Sequence, residues 1–315
     1  MTWFNNATLF RLADAPDAIR LSEALAKRPF QPCAGLDWFS EGWVAPAAHL
    51  EEPVFVTRGH MLVSLLREDK VLPPAVIRKA VDVKVADIED KELRKVGRKE
   101  KLALKEQITD DLLPRAFTKP TRVPALISGG WLIADTGSAS RAEALVSKLR
   151  EALPPFPAAL PRTKIAPHTA MTDWLAAGEA PGGFELDADA VLRDGSENGA
   201  EVRVSRIDLT SDEIRQHIAT GKQATKLGLI WNEKIRFQLT DTLQLKRIQF
   251  LDMLQDEASQ AGDDRESLFA ATFLLMSEEL GELVESLIDA LGGLEESQTR
   301  QEEGVQEREP ALPIA

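Results

Sequence analysis

A run of cations about a third of the way along the chain is the pattern with the clearest chemical use. Its members are Arg94, Lys95, Arg98, Lys99 and Lys101, and Lys105 follows about one helical turn later. Closely spaced Lys and Arg side chains on an exposed helix can neutralise several phosphates of a nucleic acid. Alternating Lys and Glu also suits any solvated helix, so the pattern leaves two interpretations open: phosphate contact and an ordinary charged surface.

Other residue types that commonly perform chemistry do not form a recognisable constellation. The four histidines are His49, His60, His168 and His217, and none is spaced with Cys33 as zinc ligands are. Gly221-Lys222 lacks both the upstream glycine and the following Ser or Thr of a phosphate-binding P-loop. Paired acids such as Asp110-Asp111 have no accompanying base. The sequence therefore predicts no catalytic residue, no metal site and no cofactor.

The charge of the chain is unevenly distributed. The formal net charge is -13, but residues 252–315 hold seventeen acids and only three arginines, which leaves the preceding 251 residues close to neutral. A local basic surface matters more for phosphate binding than the global sum. Neither a charged-then-apolar leader nor an apolar run of about eighteen residues is present, so we expect no membrane segment and a cytoplasmic protein.

The cations lie between two predicted helices. Pro73-Pro74 opens a stretch of about forty residues without proline, and Pro120 and Pro124 follow it as predicted breakers. Apolar residues recur every three, four or seven positions along each helix, which predicts one narrow buried stripe per helix. We therefore predict a helical insertion over residues 73–120, with the cations at its projecting tip.

The flanking segments have the periodicity of strands plus helices. Arg58-Gly59 and Gly129-Gly130 each separate two apolar runs and predict tight hairpins, and Asp14 is a predicted N-terminal helix cap. At this length a chain of ordinary hydrophobicity forms more than one core. The prediction is an α+β protein with mixed or antiparallel sheets, in which residues 1–72 and 121–168 form a discontinuous central domain.

Residues 169–293 predict a second α+β domain, the base domain. Thr210 to Glu213 has the pattern of a capping box, and a long helix spans Arg265 to Leu291 before Gly292-Gly293. Between them, strands alternate apolar residues with cations, which predicts a meander with one apolar and one basic face. The candidate cations there are Arg203, Arg206, Lys226 and Arg236. An antiparallel sheet normally leaves one face wet, so a merely solvated face is the alternative.

Residues 294–315 are rich in Glu, Gln and Pro and predict a disordered acidic tail. A tethered polyanion can compete with DNA phosphates for the same lysines, which makes an internal decoy one hypothesis. A neutral spacer and a docking strip for another protein are the alternatives.

Several motifs together resemble one family in their order and spacing. They are Trp3-Phe4, Gly42-Trp43-Val44, Leu112-Leu113-Pro114-Arg115-Ala116-Phe117, Asp208-Leu209-Thr210-Ser211, Gly221-Lys222, Thr225-Lys226-Leu227 and Leu291-Gly292-Gly293. The chain resembles the bacterial RdgC family of recombination-associated proteins over residues 1–293. The resemblance implies an α+β ring-shaped homodimer that passes duplex DNA through a positively charged hole with little sequence preference. It also implies a nucleoid-associated protein that limits the access of a RecA-type recombinase to DNA and supports replication-fork repair.

The resemblance also implies roles for individual positions. Arg115 and Phe117 would lie near a dimer contact that closes the ring, and Arg203, Arg206 and Lys226 would face the hole. Ser205-Arg206 stands where the family can carry two lysines, which weakens the assignment of individual hole residues. Two rivals remain: a metal-dependent enzyme acting on nucleic acid, and a protein-interaction scaffold that does not bind DNA.

Overall fold

The computed structural model describes residues 3–195, 199–260 and 264–295. The chain divides into two compact units, Leu12–Ala158, here the middle unit, and Met1–Arg11 with Ala159–Ala315, here the terminal unit. The finer four-part division predicted from the sequence stays a prediction. The predicted disordered tail lies outside the described residues from position 296 onward. Within the described ranges, no helix is long and apolar enough to cross a membrane.

The elements alternate along the chain as an α+β protein. The described helices are α1 Ala18–Ala26, α2 Pro74–Glu92, α3 Arg98–Leu112, α4 Ala139–Ala152, α5 Pro167–Ala177, α6 Asp212–Ala219, α7 Asp252–Gln260 and α8 Arg265–Ala290. The described strands are β1 Asn6–Leu12, β2 Phe39–Val44, β3 Val54–Thr57, β4 His60–Val71, β5 Phe117–Ser128, β6 Trp131–Ala134, β7 Ala158–Ala159, β8 Phe184–Asp194, β9 Glu201–Ser205, β10 Lys222–Trp231, β11 Ile235–Thr240 and β12 Gln244–Phe250.

The middle unit is built on an antiparallel sheet in the order β2-β4-β5-β6, with β3 also paired to β4. Both predicted hairpins are confirmed. The β3–β4 turn places Arg58 and Gly59 at φ +46° and +85°, and the β5–β6 turn places Gly129 and Gly130 at +57° and +76°. A two-residue turn with positive φ at both central residues matches the right-handed twist of the two strands that it connects. Helices α1 and α4 pack on this unit and bury Leu21, Leu145 and neighbouring apolar residues.

Strands β4 and β5 form a long two-stranded ribbon that carries α2 and α3. They pair without interruption from Met61 opposite Ile127 to Val71 opposite Phe117. The prediction that Pro120 and Pro124 act as breakers is therefore wrong, because both lie inside β5. Strand β6 pairs with β5 only from Ala125 onward. On that side of β5, the missing amide hydrogen of either proline therefore costs no hydrogen bond between strands.

The two predicted helices of the insertion are confirmed as α2 and α3, but their predicted buried stripes are not. Among the described residues of these helices, only Ile77 and Val85 on α2 are buried, and α3 buries none. Leu102 on α3 is 58% exposed. An apolar surface between the two helices therefore stays open to solvent.

The terminal unit contains an antiparallel sheet in the order β1-β12-β11-β10-β8-β9. Helices α5 and α8 cover the apolar face of this sheet: Trp231 and Phe237 of the sheet and Phe273 of α8 are each at most 1% exposed. Phe184 stacks on Trp174 with ring centroids 6.5 Å apart and meets Phe237 edge-on at 6.1 Å. These contacts bury one face of the sheet, and the opposite face carries the polar and charged side chains.

Local cap signals were assigned less well than the helices they mark. The cap of α1 is Asp17, whose carboxylate accepts from the Arg20 amide at 2.9 Å, so the assignment to Asp14 is wrong. The capping box is also wrong, because α6 begins after Ser211 and the Thr210 hydroxyl instead donates to Asp208 at 2.7 Å. The long helix before Gly292-Gly293 is confirmed as α8.

Candidate nucleic-acid interface

The turn between α2 and α3 is held in place by its own residues. Leu93 ends α2 in the left-handed region at φ +50°, and the Val96 amide donates to the Glu89 carboxylate at 2.9 Å. The Val96 side chain is buried, which anchors the turn against the helix pair. The basic run thus lies on a defined turn at the end of two helices.

Arg94 is bound within this turn. Its guanidinium donates to both oxygens of Glu100 at 2.7 Å and to Glu92 at 2.6 Å. The hydrogen bonds to Glu100 and then to Glu92 raise the pKa of Arg94, and Arg94 in turn lowers the pKa of Glu100. Bidentate guanidinium–carboxylate pairs have well-defined geometry. Arg94 therefore acts here as a clasp between the two helices.

The other predicted cations of the run project into solvent, and we call them the tip cluster: Lys95, Arg98, Lys99 and Lys101. All four are exposed, and none forms an ion pair with any part of the chain that the structure describes. Three of them occupy the turn that follows the N-cap Gly97, which has no side chain to cap the helix. The positive end of a helix favours anions, so cations here raise the attraction for an external anion while slightly destabilising the helix itself.

Arg115 and Phe117 lie where α3 returns to the ribbon. Leu113, 1% exposed, anchors the short 3-10 turn Leu113–Arg115, and the exposed Arg115 is the last residue of this turn. Phe117 is the first residue of β5 and lies opposite Val71. Its side chain is 85% exposed. An aromatic ring this exposed has no covering partner within the described chain.

In the terminal unit, strand register brings cations to one face of the sheet. Val191 on β8 lies opposite Arg203 on β9 and opposite Lys226 on β10, so both cations lie on the same face of the sheet as Val191. Two steps of the usual spacing between strands put the two cations about 10 Å from each other. Arg236 pairs with Ile230, four residues after Lys226 on the same strand, and lies on that face as well. The predicted apolar face of the meander is confirmed, whereas the opposite face is mixed in charge, because it also carries Glu201 and Asp187.

Two of these sheet cations are paired with acids. Arg203 contacts Glu201 at 2.7 Å and lowers its pKa, and Arg236 contacts Asp187 at 3.3 Å. Lys226 is half-buried and makes no ion pair within the described ranges. Arg206 is exposed in the bend after β9, at φ +58°. The sheet face therefore carries less uncompensated charge than the tip cluster.

Sequence reasoning missed one cation of this face and misplaced another. Arg193 lies opposite Glu201 and Gln223, on the same side as Val191, and contributes to the lowered pKa of Glu201. Strand β8 escaped detection because acids interrupt its apolar pattern. Alternation along the sequence also favours Lys234 on the face of Arg236, but Lys234 lies in the β10–β11 turn and binds Glu279 of α8 at 2.6 Å.

Neither surface has the carboxylate grouping of a metal-dependent active site. Within the residues described, no group of three or more His, Cys, Asp or Glu side chains is placed to hold a metal ion. What the exposed Lys and Arg side chains can do chemically is to neutralise anionic oxygens.

Comparison with known proteins gives one consistent result. The model of the family described as "Putative exonuclease, RdgC" matches residues 2–294. The chain is 56% identical over 296 residues to the recombination-associated protein RdgC of Laribacter hongkongensis, covering 92% of this chain and 98% of that protein. It is 46% identical to the protein of the same name from Neisseria gonorrhoeae, covering 92% and 99%. The corresponding protein of a Janthinobacterium species is 39% identical, covering 92% and 98%.

Proposed function

This chain belongs to the RdgC family, and on that premise we propose that it is a non-enzymatic, sequence-nonspecific binder of duplex DNA. In this proposal a ring-shaped homodimer encloses the duplex and limits the access of a RecA-type recombinase. Support comes from the shared name of its relatives, recombination-associated protein, and from the exposed cations of the tip cluster.

The tip cluster carries the DNA-binding part of the proposal. Its four cations have no acidic partner in the described chain, whereas Arg94, Arg203 and Arg236 are each neutralised by a neighbouring carboxylate. Unpaired cations at an uncapped helix start repel one another and gain most from binding an anion. A polymer with one phosphate per nucleotide satisfies several of them at once. Because such contacts reach phosphates and not bases, the binding carries little sequence preference.

The homodimer part of the proposal depends on Phe117. Covering a largely exposed aromatic ring with a second surface is favourable by about 25 cal/mol per Å² of apolar area removed from water. Large aromatic side chains are enriched in the centres of protein interfaces. We therefore assign Phe117 to a contact between two copies of the chain, with Arg115 beside it.

A salt titration with two forms of DNA tests the proposal. Affinity for a linear duplex should fall linearly as log affinity against log salt, with a slope of about -0.9 for each phosphate contact. Two duplexes of unrelated sequence should give the same curve. A closed ring should load more slowly on covalently closed circles than on linear DNA, which offers a free end. A salt-independent or absent shift would favour the scaffold function over DNA binding.

A nuclease is the second candidate, because the matched family description names an exonuclease. Incubation of end-labelled linear duplex with the protein and Mg²⁺, with and without chelator, distinguishes the two functions. We expect intact DNA in both samples. Chelator-sensitive shortening from the ends would replace the clamp proposal with a metal-dependent one.

A further inference from the structure

Strand β9 forms an edge of the antiparallel sheet in the terminal unit, and its outer side is open. It pairs with β8 from Glu201 opposite Arg193 to Ser205 opposite Asp189, and with no other described strand. Glu201, Arg203 and Ser205 are exposed. An edge strand presents a row of backbone N–H and C=O groups that can pair with another strand. Unlike β5, this strand contains no proline that would interrupt such pairing.

The pairing with β8 determines which backbone groups of β9 point outward. The Asp194 amide donates to the Ala200 carbonyl, so Ala200 directs its backbone groups toward β8. Hydrogen-bonded positions of an antiparallel pair recur at every second residue. Val202 therefore also directs its N–H and C=O groups toward β8, whereas Glu201 and Arg203 direct theirs outward. Among the residues that the structure describes, none forms a backbone hydrogen bond to the outward groups of Glu201 or Arg203.

The side chains of β9 alternate in character along this edge. Glu201 and Arg203 lie on the face of mixed charge and form an ion pair at 2.7 Å, whereas Val202 and Val204 lie on the other face and are half-buried. An acid opposite a cation on a neighbouring strand is favourable, and like charges opposite each other are unfavourable. The order acid, valine, arginine is therefore complementary to its own reverse. A second copy of the same strand, running antiparallel, fits this pattern.

We infer that β9 pairs with β9 of a second copy of the chain, in the register centred on Val202. This inference rests on the proposed homodimer and adds a second contact to the one at Phe117, as a ring of two copies requires. In this register Glu201 lies opposite Arg203 of the second copy, and the two copies of Val202 face each other. Because Glu201 and Arg203 direct their backbone groups outward, both opposing pairs exchange hydrogen bonds. The register centred on Arg203 would place two guanidinium groups opposite each other.

Disulfide trapping tests this register without DNA. Cys33 is the only cysteine of the chain, so Cys33→Ser provides a background in which one cysteine is introduced at a time. Opposed residues that exchange no hydrogen bonds have Cα atoms about 4.5 Å apart, which a disulfide can span. Val202→Cys should therefore form a disulfide-linked dimer in a glutathione redox buffer, detected on a non-reducing gel. Val204→Cys is the matched control and should give no dimer band, because its two copies are separated by about 13 Å along the strands.

Reversal of charge tests the pairing by an independent route. Arg203→Glu places carboxylates opposite each other and should raise the dissociation constant of the dimer about tenfold in sedimentation experiments. Combining it with Glu201→Arg restores opposite charges across the contact at the parental net charge, and should restore the parental constant. A dimer band from Arg203→Cys in place of Val202→Cys, or no band from Val202→Cys, would overturn the inference. A double variant as weak as Arg203→Glu alone would overturn it as well.

The inference and the proposed function fail in different experiments. Trapping at position 202 without salt-dependent DNA binding would keep the β9 contact and refute the DNA clamp. Salt-dependent DNA binding by a chain that is not trapped at position 202 would keep the DNA binding and remove the β9 contact. A parental chain that stays monomeric in sedimentation would overturn both the β9 contact and the homodimer.

Discussion

The tip cluster permits a quantitative test of where DNA binds. We expect the variant with Gln at positions 95, 98, 99 and 101 to lose four phosphate contacts. Each contact steepens the dependence of log affinity on log salt by about 0.9, so the slope should become shallower by about 3.6. At about 0.1 M salt each lost contact weakens binding about eightfold, which gives a total loss of about three to four orders of magnitude. Arg94 is left in place, because its clasp to Glu92 and Glu100 holds the turn.

Fluorescence anisotropy with a labelled duplex of about 30 base pairs measures both quantities over a salt series. A control variant places Gln at four other exposed cations, Arg20, Lys27, Lys164 and Arg265, and so changes the net charge equally. The control should keep the parental slope within about 1. Equal losses in both variants would show that only overall charge matters. An unchanged slope in the tip variant would exclude the tip and leave the sheet face, with Lys226 and Arg193, as the site.

Three further substitutions test the dimer contact, the clasp and the anchor. Phe117→Ala should weaken self-association in sedimentation velocity, whereas Leu93→Ala, at a residue 90% exposed, should not; identical profiles would make Phe117 an ordinary surface residue. Because Arg94 lowers the pKa of Glu100 in the folded chain, the clasp is complete at neutral pH and is lost as pH falls through that lowered pKa. For the parent chain, the amide exchange rate at the α2–α3 turn, corrected for intrinsic rates, should therefore rise in acid. For Arg94→Gln the rate should already be high at neutral pH. The same dependence of exchange on pH in both chains would contradict the clasp. Leu113→Ala should lower the free energy of unfolding by about 2–5 kcal/mol in urea, because it empties a buried site; a loss below about 1 kcal/mol would show that the 3-10 turn is not anchored there.

Features set by neighbouring residues could be predicted from the sequence. Three such features depend on the conformations of only one or two residues: the Gly129-Gly130 hairpin, the start of α2 at Pro73-Pro74 and the end of α8 at Gly292. The two-faced meander follows from strict alternation, since a side-chain period of two separates apolar from charged residues. These signals are independent of the rest of the fold.

Features set by the folded geometry of a turn or a sheet could not be predicted. The sequence predicted Pro120 to be a breaker, but a strand tolerates a proline where no other strand pairs on the side of its missing amide hydrogen. Only the fold shows that β6 does not reach Pro120. The basic run looked uniform, yet only the folded turn places Glu92 and Glu100 around Arg94 and leaves Lys99 unpaired. The spacing of Thr210 and Glu213 matched a capping box, but the Thr210 hydroxyl donates to the Asp208 carboxylate. In each case the folded geometry, and not the residue type alone, decides which interaction forms.

The placement of the two prolines in β5 has a consequence for self-association. Over residues 117–123 the outer edge of the ribbon is paired with no described strand, and such an edge can recruit a strand from another molecule. The Pro124 carbonyl accepts from the Asp135 amide on this outer side, and Pro120, four residues earlier in the strand, has its amide position on the same side. Pro120 cannot donate a hydrogen bond to a strand added there, which discourages fibre-like stacking of the ribbons. Replacing both prolines with threonine should therefore promote aggregation on storage at high protein concentration, without requiring any loss of folded stability.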